Sequence, residues 1–535
     1  MIDKLGTDAA QQWARGSMQA HGMAEFWPDG DSVACQLRRL RCARWWRRVL
    51  RGVLAKDTEQ CAIQLGFVSK DRDIYCSNEA VQRDRGMRAN SARVLEQTYL
   101  ENEFGQQVPI AELAAKSTAN RNIRLAELMT RISGMDMIAQ ETGHEGLFVT
   151  VTCPSRMHPC TTVGGRVRPN PSFDGTTPQQ AHRYLCRQWN KLGAALARAG
   201  VQRYGFRVVE PHHDGCPHWH VLIFYPEESS RGAVSRAVLR SLFRRYFLLN
   251  DSPDERGAEV RRVKFMPIDR SKGTAASYIA KYISKNTTGF KLETDLYGEP
   301  IMSTIERVQA WASTWRIRQF QQIGGAPIGV WRELRRVNPE SVDGAPLPDA
   351  LGKALSAVNI GQIGGRVAVG FQLYTQAQGG PCVRRRALAI RLLKQETGEV
   401  NRYGEVRAPD VIGVEAQGVN LHKPAHMVAM LGKLAPTVAR PASARIESER
   451  CQWRHITSAH IKTEGTQAQR EALRPWTRVN NSTRTHWTDG STGRDVAIVS
   501  RSKTGRFRGW SGSPGDGEGR GGGFSQPPTP GRSAP

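Results

Sequence analysis

The sequence predicts an α+β protein whose central part follows the order β-α-β-β-α-β. Two observations support this prediction. Apolar residues recur at helical spacing through the first 140 residues, and near residue 146 the pattern changes to strand-like alternation interrupted by two helical stretches. The 535 residues include 39% hydrophobic and 24% charged residues, which is ordinary for a globular chain and sufficient for more than one core. Collagen-like, wholly disordered and small disulfide-stabilised proteins are therefore excluded.

Residues 1–140 are expected to form a helical N-terminal region. Apolar residues and arginines share a helical spacing over 33–56, and similar patterns cover 79–101 and 109–140. The arginine-rich stretch around Trp45 fits either an ordinary helix with one apolar face or a helix that contacts DNA.

Residues 141–335 carry the β-α-β-β-α-β order, which is the ferredoxin-like arrangement shared with RNA-recognition modules. The second and third strands flank a His-Asp-Gly turn, which is a hairpin signal. The predicted strands are 146–152, 203–210, 218–224 and 259–266, the helices between them are 178–199 and 233–248, and a further helix covers 274–285.

The C-terminal third has a less regular pattern. Residues 336–504 are expected to form a basic region of unknown role, with a strand at 366–374 and a helix at 383–394. Residues 505–535 include 15 Gly or Pro residues and are expected to form a disordered tail.

The chain is strongly basic, with 76 Lys and Arg against 50 Asp and Glu and a net charge of +26. Such an excess favours phosphate backbones or an anionic membrane surface as partners. Basic residues outnumber acidic ones by 20 to 17 in residues 1–140, by 29 to 18 in 141–340 and by 27 to 15 in 341–535, so the nucleic-acid contacts are expected mainly beyond residue 140. No apolar run reaches the roughly 18 residues of a membrane span, and the ten cysteines follow no secretory signal. A cytoplasmic protein with free thiols and no membrane contact is expected.

The run VVEPHHDGCPHWHVLIF contains the principal candidate site. His218 and His220 lie two apart on a predicted strand, so both imidazoles share one face and can bind one metal ion. Glu210 joins that face if the hairpin pairs it with either histidine. Two imidazoles and one carboxylate leave coordination positions open for water or a phosphate oxygen. A His-x-His pair also occurs by chance on surfaces, and Trp219 between the two fits either base stacking or buried packing.

Two nearby groups carry weaker signals. His212 and His213 are rival metal ligands, but their place in the turn favours supporting contacts or DNA contacts. Cys153, His158 and Cys160 lie close together without the paired spacing of a zinc site, which argues against zinc there.

A second candidate element is the helical run YIAKYISK at 278–285. Residues four apart on a helix are neighbours, so Tyr278 and Tyr282 present two phenols on one face, each followed three residues later by Lys281 or Lys285. A core helix with two aromatic residues and solvated lysines has the same pattern.

Together, the two elements suggest a tyrosine nucleophile. A phenol has a pKa near 10 and is almost entirely protonated at neutral pH, so it needs assistance to attack. A divalent metal can stabilise the charge that develops on a phosphate, and a nearby ammonium can lower the phenol pKa. Attack on a phosphodiester gives a 5′-phosphotyrosine and a free 3′-hydroxyl, and it is reversible because a phosphodiester is retained.

The motifs FVTVT at 148–152, PHWHVLIF at 217–224 and YIAKYISK at 278–285 resemble, in this order, the rolling-circle replication initiators of the HUH endonuclease superfamily. The paired tyrosines resemble the replication gene A proteins of temperate tailed phages. The similarity covers about residues 33–335, and no family resemblance is identified for the C-terminal third.

The resemblance implies a site- and strand-specific endonuclease that initiates rolling-circle replication on single-stranded or melted origin DNA. Such an enzyme uses Mg²⁺ or Mn²⁺, becomes attached to the 5′ end, and works with a host helicase and DNA polymerase in the bacterial cytoplasm. On this chain the implied metal ligands are His218, His220 and Glu210, the nucleophiles are Tyr278 and Tyr282, and the assisting cations are Lys281 and Lys285.

Three other readings remain open. A conjugative relaxase or mobilisation protein shares the chemistry, but its tyrosine usually precedes the histidines. A non-catalytic nucleic-acid-binding protein on an RNA-recognition-like sheet explains the charge and the topology. A metal-dependent hydrolase that uses water would leave the tyrosines structural. The reaction products distinguish these readings.

Overall fold

The computed structural model describes residues 6–102, 105–253, 255, 257–279, 301–337, 342, 347–363, 366–417, 443–448, 453–457, 483–488 and 495–499. Within these residues helices alternate with antiparallel sheets, which confirms the α+β class. None of the described helices combines the length and the apolarity that a membrane span requires.

The N-terminal residues are mainly helical, but the helices break where the sequence pattern continues. The stretch 33–56 is divided between α2 (Val33–Leu40) and α3 (Ala43–Gln64). The indole N–H of Trp46 donates to the carbonyl oxygen of Leu40 at 2.8 Å and fixes the bend between the two helices. The stretch 109–140 is divided as well, because the Asn120 side chain accepts from the N–H of Asn122 and starts a new helix. The helices are α1 (Thr7–Ala20), α2 (Val33–Leu40), α3 (Ala43–Gln64), α4 (Asn78–Gln97), α5 (Ile110–Ala115) and α6 (Arg121–Glu141).

The prediction that the helix near 79–101 continues to its end was wrong. Residues Thr98–Asn102 form strand β1, which pairs with β2 (Gln107–Pro109). The run of Thr, Tyr and Leu at 98–100 has high strand propensity, and pairing with another strand decides its conformation.

A five-stranded antiparallel sheet forms the centre of the chain, in the order β8-β3-β7-β6-β9. Its strands are β3 (Glu145–Thr152), β6 (Tyr204–Pro211), β7 (Pro217–Tyr225), β8 (Val263–Pro267) and β9 (Phe320–Ile323). A short hairpin of β4 (Cys160–Val163) and β5 (Arg166–Pro169) follows β3. Helices α7 (Pro178–Arg198) and α8 (Ser235–Arg244) connect the strands, and α8 continues as a π-helical turn over Arg245–Leu249.

Three of the four predicted strands are confirmed within one or two residues, and the fourth is shorter than predicted. Residues Ala258–Arg261 form a helical turn, α9, so β8 starts only at Val263. Helix α7 starts where the sequence places it, because Thr177 and Gln180 form a capping box and Pro178 occupies the first turn.

The two faces of the central sheet pack against different helices. One face, which includes Val149 and Trp219, contributes to a core with α7, α8 and α10 (Ile301–Trp315). The other face, which includes Phe148 and Val208, contributes to a core with α6 and the helical residues 275–279. The element that carries Tyr278 therefore packs on a defined side of the sheet.

Gly205 permits the close pairing of β6 and β7. Its φ is +150°, and a Cβ at this position would lie 2.0 Å from the carbonyl oxygen of Leu222. Since that contact is with backbone, a side chain could be accommodated only by separating the two strands.

The C-terminal residues form a second helical and sheet layer, and the predictions at 366–374 and 383–394 were wrong. The first stretch lies in a helix and the second leads into a strand. A continuous apolar run fits a buried helix as well as a buried strand, and the packing of Phe371 and Tyr374 in a helical core decides the outcome. The elements are α11 (Ile328–Leu334), α12 (Asp349–Ile363), α13 (Val367–Ala377), β10 (Ile390–Gln395), β11 (Asp410–Gln417), β12 (Ser443–Ser448), β13 (Trp453–Thr457), β14 (Thr483–Thr488) and β15 (Asp495–Val499).

Strand β13 pairs with β1, and the other five strands form one sheet in the order β10-β11-β12-β14-β15. The predicted disordered tail at 505–535 lies outside the described residues.

Candidate metal centre and tyrosine helix

The β6–β7 hairpin brings Glu210, His218 and His220 together. Glu210 pairs directly with His218, and Val208 pairs with His220, so the three functional side chains share one face of the sheet. The Nε2 atoms of the two histidines lie 3.0 Å apart. The Glu210 Oε2 atom lies 3.7 Å from Nε2 of His220 and 4.0 Å from Nε2 of His218.

These three atoms have nearly the spacing that one divalent ion requires. With bonds of about 2.1 Å, two ligand atoms on an octahedral ion lie about 3.0 Å apart when adjacent and about 4.2 Å apart when opposite. The two histidine nitrogens match the adjacent separation, the His218–Glu210 distance is close to the opposite one, and the His220–Glu210 distance would have to change by about 0.5–0.7 Å to match either. Glu210 is 2% exposed, and a carboxylate so deeply buried is stable when it is paired or coordinates a cation. The set therefore fits a metal ion with open positions for substrate oxygens.

Strand β3 orients one of the two imidazoles. Thr150 pairs with His220 in the sheet, and its Oγ1 lies 3.2 Å from Nδ1 of His220. The ring of Phe148 stacks on His220 with an interplanar angle of 18°. Groups of this kind fix the ring orientation of a metal-binding histidine. Both residues lie in the FVTVT motif at 148–152, but the sequence alone assigns no role to either of them.

The turn histidines have different environments. The ring of His212 lies against that of His218, with centroids 4.0 Å apart, and burial lowers the pKa of His212 well below its usual value. His213 lies near Cys160 and Asp214 instead. Neither is a member of the ligand group of Glu210, His218 and His220, although His212 contacts that group through His218.

Asp214 is buried in this turn. Burial by itself would raise the pKa of its carboxyl, but His158, whose Nδ1 lies 2.8 Å away, holds that pKa below its usual range. The backbone N–H of Cys216 donates to the other carboxylate oxygen at 3.0 Å. The carboxylate is therefore fixed in one orientation.

Trp219 belongs to the core and not to the surface. It is fully buried on the opposite face of the sheet, and the guanidinium of Arg207 lies 3.8 Å from its ring centroid. Buried packing, the second of its two predicted roles, is the observed one.

Tyr278 lies on the same side of the sheet as the histidines. Helical residues 275–279 contribute Ala275, Ala276 and Ile279 to the core that contains Phe148 and Val208, and Tyr278 packs against that core. Val208 pairs with His220, so both side chains project to this side. Tyr282, Lys281 and Lys285 lie outside the described residues.

A buried carboxylate anchors the start of this helical segment. Asp136 on α6 accepts from Nη1 of Arg270 at 2.7 Å and from the backbone N–H of Ala275 at 2.9 Å. The hydroxyl of Tyr278 donates to the carbonyl oxygen of Asp269 at 3.2 Å and accepts from the N–H of the same residue at 3.3 Å. Sequence reasoning missed Asp136, although an acidic residue on an otherwise apolar helix face was a usable signal.

A basic cleft of about 150 Å³ opens beside the same face of the sheet. Its cations are Arg88 on α4 with Arg121 and Arg124 at the start of α6. Phe320 of β9 also lines it, and Phe320 pairs with Val208, the partner of His220. Two strand spacings, or about 10 Å, therefore separate Phe320 from His220.

These features define an α+β protein with a candidate metal centre on one sheet face and a tyrosine-bearing helix on the same side. The chain belongs to the bacteriophage replication gene A protein family, whose model matches residues 23–290.

Curated relatives extend the similarity beyond that range. The chain is 39% identical to the replication gene A protein of Escherichia phage 186 over 70% of this chain and 52% of that protein. It is 37% identical to the replication gene A protein of Escherichia phage P2 over 71% of this chain and 49% of that protein. It is 31% identical to a probable replication endonuclease from a prophage-like region of Salmonella typhimurium over 84% of this chain and 52% of that protein. The chain thus spans about half the length of these relatives, and no solved structure matches it.

Proposed function

We propose that this protein is a site- and strand-specific DNA endonuclease that initiates rolling-circle replication of phage DNA and later rejoins the strand. The observation that carries the proposal is the position of Tyr278 on the sheet side that holds Glu210, His218 and His220. The name of the Salmonella relative, a probable replication endonuclease, supports a nuclease.

The topology supports the ferredoxin-like core of this proposal. With β3, β6, β7 and β8 numbered one to four in chain order, their order across the sheet is 4-1-3-2, and all neighbours are antiparallel. The β-α-β-β-α-β arrangement has this order. Strand β9 then extends the sheet at the edge next to β6.

The proposed reaction is a transesterification on phosphorus. The phenolic oxygen of Tyr278 or Tyr282 attacks the scissile phosphate, a bond from phosphorus to that oxygen forms, and the bond to the 3′ oxygen breaks. The phenolic proton leaves, and the departing oxygen takes up a proton to become the free 3′-hydroxyl. The Tyr278 hydroxyl is hydrogen-bonded to Asp269, which follows the residue that pairs with Gly146. Gly146 lies four residues, or about 13 Å, along β3 from Thr150, the partner of His220. Before it attacks, this hydroxyl must therefore leave Asp269 and move toward the metal cluster.

Glu210, His218 and His220 would hold Mg²⁺ or Mn²⁺, which when bound stabilises negative charge on the phosphate oxygens. Lys281 and Lys285 would neutralise the phosphate or lower the phenol pKa. The second tyrosine would allow a second transfer that rejoins the strand.

The basic cleft supports single-stranded or melted origin DNA as the substrate. Burial lowers the pKa of Arg121, and the nearby Arg88, itself paired with Asp84, adds to the effect; a bound anion would offset both. Phe320, which lines the cleft, lies two strand spacings or about 10 Å from His220 across the sheet, a span comparable to that of neighbouring phosphates of one strand. In this proposal a host helicase and DNA polymerase act on the nicked product in the bacterial cytoplasm.

The test is incubation with Mg²⁺ and single-stranded DNA of the phage or prophage genome that encodes the chain, followed by a denaturing gel. The wild-type protein should form an adduct that resists denaturation. The double variant Tyr278→Phe with Tyr282→Phe should bind DNA without forming it, and His218→Ala with His220→Ala should not cleave.

Two conservative variants serve as matched controls. Tyr99→Phe changes a tyrosine on β1, and His21→Ala changes an exposed histidine after α1, so both should form the adduct. Cleavage by the double tyrosine variant would refute the mechanism. A free 5′-phosphate would indicate a hydrolase that uses water, and binding without cleavage would indicate a non-catalytic module.

A further inference from the structure

We propose a second metal site, a zinc site formed by Cys160, His213 and Asp214 with its fourth position open to water. Cys160 is the first residue of β4, and the other two lie in the turn between β6 and β7. One ligand atom from each side chain lies within 4.8 Å of the other two. The group shares no residue with the Glu210 cluster, and it does not depend on the proposed nuclease activity.

The donor set selects the class of metal. A thiolate, an imidazole and a carboxylate are ligands of zinc, whereas Mg²⁺ and Mn²⁺ favour oxygen. Ligand atoms on tetrahedral zinc lie about 3.3–3.6 Å apart, given bonds of about 2.0–2.3 Å. The ligand atoms of Cys160, His213 and Asp214 would reach this spacing if each pair of them moved closer by at most about 1.5 Å.

The surroundings of Asp214 support coordination. Asp214 is 1% exposed, and His158 and the N–H of Cys216 each bind one of its carboxylate oxygens. Every carboxylate oxygen has two acceptor positions, so each can still bind a cation while these hydrogen bonds persist. Hydrogen bonds of this kind orient carboxylate ligands in known metal sites.

The site would join two segments, the β4–β5 hairpin and the turn that separates Glu210 from the two histidines. That turn is already bonded to the N-terminal region, because the N–H of Tyr75 donates to the carbonyl oxygen of His213 at 3.2 Å. A metal ion here would hold the spacing of the hairpin that carries the candidate centre.

The test is titration of the full-length, metal-free protein with Co²⁺, followed by displacement with Zn²⁺. A thiolate bound to Co²⁺ gives a charge-transfer absorption in the near ultraviolet, and of the two candidate metal groups among the described residues the Cys160 group is the one that contains a thiol. The wild-type protein should show this absorption and lose it when Zn²⁺ is added. Its absence from the wild-type protein would overturn the proposal without reference to any variant.

The variants assign the absorption to this group. Cys160→Ser should abolish it, whereas Cys61→Ser, which changes an exposed cysteine on α3, should preserve it. His218→Ala should also preserve it, since the Glu210 cluster has no thiol. Circular dichroism would verify that each variant is folded. Persistence of the absorption in folded Cys160→Ser would refute the assignment, and neither result depends on DNA cleavage.

Discussion

Asp136 is expected to control the order of the helix that carries Tyr278. Its side chain is 2% exposed and binds both Arg270 and the backbone N–H of Ala275. Replacing it in Asp136→Ala removes both acceptors and leaves a buried N–H at the start of the helical segment without this partner. The segment should therefore open more often in the variant.

The size of the effect follows from the two lost bonds. Loss of a capping carboxylate from a buried N–H costs about 1–2 kcal/mol. The ion pair adds less than about 1 kcal/mol, because the Arg270 side chain is 36% exposed. The sum is about 2 kcal/mol, which corresponds to roughly a 30-fold change in a local opening equilibrium.

Hydrogen exchange followed by mass spectrometry is the direct assay. Peptides that contain residues 275–279 should exchange about 30-fold faster in Asp136→Ala, and covalent adduct formation should slow with them. Asp136→Asn retains an acceptor and should show a smaller effect. Glu112→Ala, which removes an exposed ion pair with Lys116, should leave this segment unchanged. Unchanged exchange at 275–279 in Asp136→Ala would refute the reasoning.

Two further predictions concern Thr150 in the central sheet and His182 on α7, which packs against Trp219 of that sheet. Thr150→Val removes the hydroxyl that lies against His220 without changing the side-chain shape, so the affinity of the protein for Mn²⁺ should fall about 10-fold or more. Calorimetry would measure this affinity. Equal affinities in the variant and the wild type would contradict the proposed orienting role of Thr150. Burial, together with the nearby Arg207, lowers the pKa of His182 to about 4, so the folded state favours the neutral imidazole. The free energy of unfolding should therefore fall as the pH drops from about 6.5 to about 4. This loss of unfolding free energy should be about 2 kcal/mol after allowance for the partial exposure of His182. In urea denaturation, the unfolding free energy of His182→Gln should depend less steeply on pH than that of the wild type. The same pH dependence in both proteins would refute the prediction.

The candidate metal cluster could be predicted because it depends on local rules. His218 and His220 share a face by strand alternation alone, and a short hairpin limits the partners of Glu210 to neighbouring positions. The same rules could not predict Asp136, because its two partners lie more than 130 residues away along the chain. The same rules could not predict that Cys153 and Cys160 have different environments. Cys153 donates to a carbonyl oxygen in the core, whereas Cys160 lies beside His213.

The sequence by itself determined the α+β class, three of the five strands of the central sheet and the face that His218 and His220 share, because alternation and turn residues act over a few positions. Only the tertiary structure decided that Tyr278 packs on that face, that residues 367–377 are helical and that Cys160 meets the β6–β7 turn. These outcomes depend on contacts between distant segments. The free energy of such contacts comes from burial and from pairing, and no local pattern encodes it.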